Sequence, residues 1–330
     1  MDLVALVQHP DHVCCRYRVE AFRASLECAG HSLTLCALPR RWWGRLALYP
    51  KLRGKDVLLQ RQLLAGWEIG FLRRQARRLI FDFDDAVFLR DSYSAKGHHD
   101  ARRLRRFAAT LAACDAVVGG NDFLVGQAVA HCPNARVRTI PTCVDPLRYP
   151  VQPAKPAGDG KELVWIGSSS TLQGLEQVAP MLEGLGRDVP GLRLRIICDR
   201  FPAFRHLEVV PRVWDGAREV ADLAGGDVGI SWIPDDLWSR GKCGLKVLQY
   251  MAAGLPVIAN PVGVHPEMIR HGETGFLAST PEEWREAVTT LAGDTDLRRR
   301  MGAAARRRAE ERYFVPAGGR AWNDLLAELA

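Results

Sequence analysis

The sequence predicts an α/β protein built from two doubly wound domains in series, and three observations carry that expectation. Strand-like and helix-like segments alternate along nearly the whole chain, the pattern of parallel sheets joined by helical crossovers. At 330 residues the chain exceeds one domain of ordinary size and suits two. Midway, residues 151–160 read VQPAKPAGDG, a Pro- and Gly-rich stretch of linker character. The expected division is a domain over 1–150, a linker over 151–160 and a second domain over 161–330.

Taken in order, Leu3–Val7 is a continuous apolar run and reads as a first strand. Arg16–Ala29 has helical periodicity and closes at Gly30. Ser32–Leu38, Val57–Gln60, Leu79–Phe83, Ala116–Val118 and Val137–Pro141 follow as strands, with arginine-rich helices over Ala65–Arg78 and Ala101–Cys114. The second half restarts with a strand at Leu163–Gly167, a helix at Leu172–Leu185 and strands at Leu192–Cys198 and Val209–Val210. A helix over Arg218–Leu223 leads to a strand at Val228–Trp232. A glycine turn at Cys243-Gly244 then opens a helix ending at Gly254, and Pro256–Ala259 is a strand. Pro281–Leu291, Asp296–Arg312 and Ala321–Leu329 read as closing helices, the last expected to pack back on the first domain.

Composition narrows the class. No apolar run approaches the roughly 18–20 residues that span a bilayer. The start, MDLVALVQHPDH, lacks the basic region and cleavage site of a signal peptide and reads as a strand. Nine cysteines without C-x-x-C or Cys/His ligand spacing predict free thiols in a reducing compartment. Residues 1–150 hold 23 Lys and Arg against 14 Asp and Glu, whereas the remainder is near neutral. A basic first half predicts an anionic surface or acceptor as its partner.

The most informative stretch is Gly241–Leu277, GKCGLKVLQYMAAGLPVIANPVGVHPEMIRHGETGFL. It resembles the donor-binding segment of glycosyltransferase family 4 (group 1), enzymes of the GT-B type with two Rossmann-like domains facing a central cleft. Ile140–Asp145 (IPTCVD) resembles the family motif that closes the first domain, and Trp165-Ile166-Gly167 the strand end that opens the second. The closing helices up to Tyr313 also follow the family pattern. The resemblance implies a nucleotide-sugar substrate such as a UDP- or GDP-sugar, retaining stereochemistry, and no cofactor or metal.

Four positions depart from that pattern. Gly241 and Gln249 stand where the family carries two glutamates, and Ser168 and Gln173 where it carries an Arg and a Lys for the diphosphate. Gln249 keeps an acceptor oxygen for the ribose. Lys242 and Lys246 flank the turn, and the N–H groups of Gly244, Leu245 and Lys246 open a helix suited to phosphate. They are read as the relocated cations of a lysine-rich branch; a solvated helix face is the alternative.

A second constellation is Asp82-Phe83-Asp84-Asp85 at a strand end. By resemblance Asp84 falls where a histidine contacts the donor sugar, so Asp84 and Asp85 are assigned to hydroxyls of donor or acceptor, or Asp84 to a base. Three acids in four residues also suit a divalent metal, and capping or pairing with arginine is the plain alternative. Weaker candidates are His9, Arg16 and Arg18 on the acceptor side. Gly167, Ser168, Ser169 and Thr171 form a hydroxyl-rich turn, with Arg212 beside the base and Glu267 after a Gly/Pro turn. No G-x-G-x-x-G, P-loop or nucleophile elbow is present, which disfavours dehydrogenases, NTPases and serine hydrolases.

Arg40-Arg41-Trp42-Trp43-Gly44-Arg45, with Lys51, Arg53, Lys55, Arg73, Arg74, Arg77 and Arg78, reads either as a seat on anionic lipid or as a loop and a solvated helix. The resulting expectation is a cytoplasmic transferase of cell-envelope polysaccharide, peripheral on the inner membrane face, that moves a sugar to a glycan or lipid-linked acceptor and binds no nucleic acid. A nonhydrolysing sugar-nucleotide epimerase and a catalytically silent scaffold are the rivals.

Overall fold

The computed structural model describes residues 1–150 and 161–330, so the expected linker at 151–160 lies outside the described residues. The chain falls into two compact units. The first comprises Met1–Cys143, Asp236–Cys243 and Val315–Ala330, the second Val144–Asp235 and Gly244–Phe314. The first unit thus draws two segments from the second half of the sequence.

In the first unit, β1 (Asp2–Val7), β2 (Ser32–Ala37), β3 (Asp56–Gln60), β4 (Arg78–Phe83), β5 (Ala116–Gly119) and β6 (Val137–Thr139) form a sheet of order β2-β1-β3-β4-β5-β6. Every pairing is parallel. Period-two alternation sends residues to both faces: Leu3, Ala5 and Val7 of β1 and Ile80 of β4 enter one cluster, while Leu6, Leu79, Phe81 and Phe83 enter the other. Both faces are covered, which is why these strands are unbroken apolar runs. One face is an aromatic stack in which Phe107 meets Phe83 at 5.4 Å and Phe88 at 4.7 Å between centroids. The other is closed by the helix Val315–Leu329, whose Trp322 lies 6.3 Å from Phe22. That helix comes close through Gly318 and Gly319: a Cβ on Gly318 would sit 2.6 Å from the Cys143 sulfur, and one on Gly319 would overlap Ser25.

The second sheet holds β7 (Glu162–Ile166), β8 (Arg193–Cys198), β9 (Glu208–Val213), β10 (Val228–Ser231), β11 (Val257–Ala259) and β12 (Gly275–Leu277) in the order β12-β11-β10-β7-β8-β9, again parallel. Its chain order reverses between β7 and β10, the position where doubly wound sheets place their ligands.

Two expected helices are broken. Arg16–Ala29 becomes Val13–Arg18, a turn at Glu20–Phe22, and Arg23–Cys28. Arg18 and Val19 both turn into the core there, and Val19 leaves helical geometry at φ −128°. Leu172–Leu185 divides into Ser169–Gln177 and Ala179–Asp188 because Pro180, lacking an N–H, opens a new first turn. Trp42–Leu48, Asp122–His131 capped by Asn121, and the single turn Leu237–Arg240 are helices without a counterpart in the sequence reading.

Candidate functional site

The reversal in the second sheet puts the turn after β7 beside the end of β10. Ser168 precedes the helix Ser169–Gln177 and is tied to its first turn: the Ser168 N–H donates to Thr171 Oγ1 at 3.2 Å, and the Thr171 hydroxyl donates to Ser168 O at 3.0 Å. Gly167 has no room for a side chain, since a Cβ would meet the Trp165 ring at 2.5 Å. The N–H of Ser169 donates to Asp199 Oδ1 at 2.8 Å.

Lys246 reaches this turn. Its Nζ donates to Thr171 Oγ1 at 3.3 Å and stands 4.1 Å from the Trp165 ring centroid. The residue lies in the first turn of the helix Leu245–Ala252, so its ammonium adds to the positive end of the helix dipole. Gly244 caps that helix at φ +65°, in the left-handed region, and a Cβ there would meet Met268 Sδ at 2.5 Å; both demands select glycine. The helix buries Val247, Leu248, Gln249, Tyr250 and Met251, and the Tyr250 hydroxyl accepts from the last N–H of β7, Ile166, at 3.0 Å. Gln249 is buried beside them.

Sequence reasoning missed His265. It is buried, its Nδ1 pairs with Asn260 O at 2.8 Å and its Nε2 with Ser231 Oγ at 3.2 Å, at the end of β10. Burial holds its pKa down to about 4, and the nearby charge of Lys246 pushes the same way. The His265 imidazole is therefore neutral at pH 7. The only sequence hint was a histidine directly before Pro266 in the Gly/Pro turn.

The first unit gathers the acidic constellation differently from its sequence reading. Asp82 is fully buried and takes a forked contact from Arg18, with Arg18 Nε at 3.3 Å from Asp82 Oδ2. Arg18 also donates to Ile140 O at 2.6 Å. Arg18 has no exposed surface, so its acceptor-side assignment is corrected: it is a core cation. Asp84 and Asp85 are held by Arg61, with Nη1 3.2 Å from Asp84 Oδ1 and Nη2 2.5 Å from Asp85 Oδ2. Lys242 Nζ lies 4.0 Å from Asp85 Oδ1. Burial pushes the Asp85 carboxyl up, while Arg61 and then Lys242 pull it down. Arg61 stands at φ +58°, the one described non-glycine residue with positive φ. Such backbone costs of order 1 kcal/mol. Among the described residues no cluster of three or more His, Cys, Asp or Glu is arranged to hold a metal ion. The carboxylates of this loop are met by guanidiniums instead.

The remaining candidates scatter. Lys242 belongs to the first unit and Lys246 to the second, so the expected lysine pair divides between them. Arg212 lies on the edge strand β9, two strands from the reversal, near Asp222 at 3.8 Å. The Glu267 carboxylate is engaged by Tyr313 and Arg312, both at 3.3 Å. His9 is exposed beside Asp11 at 3.4 Å, and Arg16 is half-buried. All nine cysteines are free; Cys14 accepts from Arg61.

The basic, aromatic segment also resolves into two kinds of residue. Arg73, Arg77 and Arg78 are spent on Asp115 and Asp56, and Arg45 on Glu68. Trp42, Trp43 and Trp67 are each more than half exposed and meet edge to face, Trp42 lying 5.9 Å from Trp43 and 6.3 Å from Trp67. Arg41 stacks on Trp43 at 5.0 Å.

Comparison with known proteins bears on the fold and on the segment around Lys246. Residues 238–308 match the family model described as glycosyl transferases group 1. A stretch of 79 residues, 23% of this chain and 21% of the relative, is 39% identical to N-acetyl-alpha-D-glucosaminyl L-malate synthase of Bacillus anthracis. Over 152 residues, 42% of this chain and 28% of the relative, it is 32% identical to a sulfoquinovosyl transferase of Arabidopsis thaliana. The matched part thus spans less than a third of either relative. In structure, the chain superposes on sucrose-phosphate synthase from Thermosynechococcus elongatus with TM-score 0.76 at 16% identity, over 99% of this chain and 98% of that one. It superposes on Anabaena Alr3699/HepE in complex with UDP-glucose with TM-score 0.68 at 13% identity, over 99% and 100%. The fold is therefore that of GT-B glycosyltransferases, an α/β architecture of two Rossmann-like domains.

Proposed function

We propose that this protein is a glycosyltransferase that moves a sugar from a nucleotide-sugar donor to a hydroxyl acceptor. One observation carries the reading: Lys246, within the segment matching group 1 glycosyl transferases, is aimed at the turn on the strand-order reversal of the second sheet. Lys246 and the N–H groups of the Gly244 turn stabilise the diphosphate that develops as the glycosidic bond breaks. Gln249 and the Ser168–Thr171 turn hold ribose and phosphate. The acceptor is assigned to the first unit, where Asp84 and Asp85, fixed by Arg61, orient hydroxyls. Transfer is read as retaining and metal-independent, because lysine and a helix terminus supply the charge that a cation would.

The test is a panel of UDP- and GDP-sugars assayed for thermal stabilisation and for release of nucleoside diphosphate. One donor at a hundredfold excess over its Kd is expected to stabilise by about 2.7 kcal/mol. Slow release should persist in EDTA. No stabilisation by any donor, together with no release, sinks the reading; conversion of a donor to its epimer without release assigns the epimerase chemistry instead.

The exposed tryptophans support a peripheral seat on the cytoplasmic face of an anionic membrane, in assembly of cell-envelope polysaccharide. Indoles lie in the headgroup region and nearby arginines, each worth about 1 kcal/mol, meet anionic lipid. Among the described residues no helix is long and apolar enough to cross a membrane. Flotation with vesicles containing anionic lipid should recover the protein at low salt and lose it when Trp42 and Trp43 become alanine; equal recovery of both proteins removes the membrane role.

A further inference from the structure

The first sheet has its own order reversal, between β1 and β3, and a cavity of about 520 Å³ opens there. Its wall includes Gln8 and Arg61 from the loops after β1 and β3, Arg102, Arg103 and Arg106 from the helix Ala101–Ala113, and Trp238. Four arginines thus line it with a single acidic residue, Asp100.

That carboxylate is already committed. Asp100 Oδ1 caps the helix by accepting from the N–H groups of Arg102 and Arg103 at 2.9 and 3.0 Å, and Asp100 Oδ2 pairs with Arg90 at 3.0 Å. Arg61 is balanced by Asp84 and Asp85. Arg103 donates to Leu89 O at 2.5 Å and reaches Asp100 only at 3.9 Å. Arg106 donates to Leu63 O at 3.3 Å. Among the described residues no carboxylate forms an ion pair with Arg102 or Arg106. Burial holds the Arg106 guanidinium below its ordinary pKa and the Arg102 charge adds to this, while Glu68 and Asp100 oppose it. The wall therefore carries an excess of positive charge, centred on Arg102, Arg103 and Arg106, around a concavity at a sheet's ligand position.

We propose that this cavity binds a phosphomonoester group of the acceptor, with the ring or polyol that carries it packed on Trp238. Planar guanidiniums match phosphate oxygens in forked pairs, and a near-dianion with three terminal oxygens uses more of these donors than a carboxylate does. The assignment rests on placing the acceptor in the first unit and specifies its class: a phosphorylated sugar or polyol.

The experiment measures binding of inorganic phosphate, of several sugar and polyol phosphates, and of their unphosphorylated forms by calorimetry. Wild type is compared with Arg102→Ala, an exposed position, and with Arg102→Ala/Arg106→Gln; UDP and GDP binding are measured on the same samples. Phosphorylated compounds should bind at least tenfold more tightly than unphosphorylated ones. Their affinity should fall tenfold or more in Arg102→Ala and further in the double variant, while nucleotide affinity stays within twofold. Equal binding of unphosphorylated compounds, undiminished phosphate binding in the double variant, or displacement of the phosphate compound by UDP or GDP overturns the proposal. Loss of the donor reading shows separately, as absent nucleotide binding in wild type.

Discussion

Replacing Asp82 with alanine is expected to destabilise the folded protein by about 3–5 kcal/mol, a large part of the stability of an ordinary domain. The Arg18–Asp82 pair has no exposed surface on either side chain, and its partners come from 64 residues apart in sequence. Without Asp82 the guanidinium keeps only the Ile140 carbonyl as an acceptor, with no surface of its own exposed to solvent. Because the cost is that of an orphaned charge, Arg18→Met combined with Asp82→Leu should be less destabilising than Asp82→Ala alone. Urea denaturation of the three proteins decides the matter. A loss below 1 kcal/mol in Asp82→Ala, or a double variant worse than the single, would contradict the buried-charge account.

The second large effect concerns rate. Lys246→Ala should lower turnover by about 100- to 1000-fold, the range seen when one preorganised donor to a developing charge is removed. The ammonium is fixed by Thr171 and by the face of Trp165, so little reorganisation accompanies the reaction. Lys246 is only half-buried and its stem supports no core cluster, so the melting temperature should stay close to wild type. Lys246→Arg should recover part of the rate, since charge returns with altered geometry. Steady-state kinetics with the donor found in the panel provide the measurement; a turnover within threefold of wild type removes Lys246 from the chemistry.

Most of the fold was legible because parallel strands covered on both faces are continuous apolar runs. Leu79–Phe83 and Leu192–Cys198 announce themselves without any knowledge of their neighbours. The Lys246 turn was legible for a related reason: Gly244, its helix and the strand after it are one local segment. What escaped depends on partners distant in sequence. Helical periodicity does not show that Arg18 turns inward, because its partner lies on β4. Arg61 gave no sign of its left-handed backbone or of the two carboxylates it holds. Glu267 sits in a local motif, yet its carboxylate is claimed by residues 45 and 46 positions later. Arg61 lies about forty residues from the arginines of the helix Ala101–Ala113, and only the fold brings them to one cavity with Trp238.

The helix Val315–Leu329 bears on how the chain is made. It covers the sheet face that holds Leu3, Ala5 and Val7, residues that leave the ribosome more than three hundred positions before it. The six strands of the first unit emerge early, yet that face stays open until everything through Leu329 has been synthesised. The second unit needs nothing beyond Phe314. The half of the molecule translated first is therefore the half that can finish folding last, and its apolar sheet must be kept from wrong partners for the whole interval.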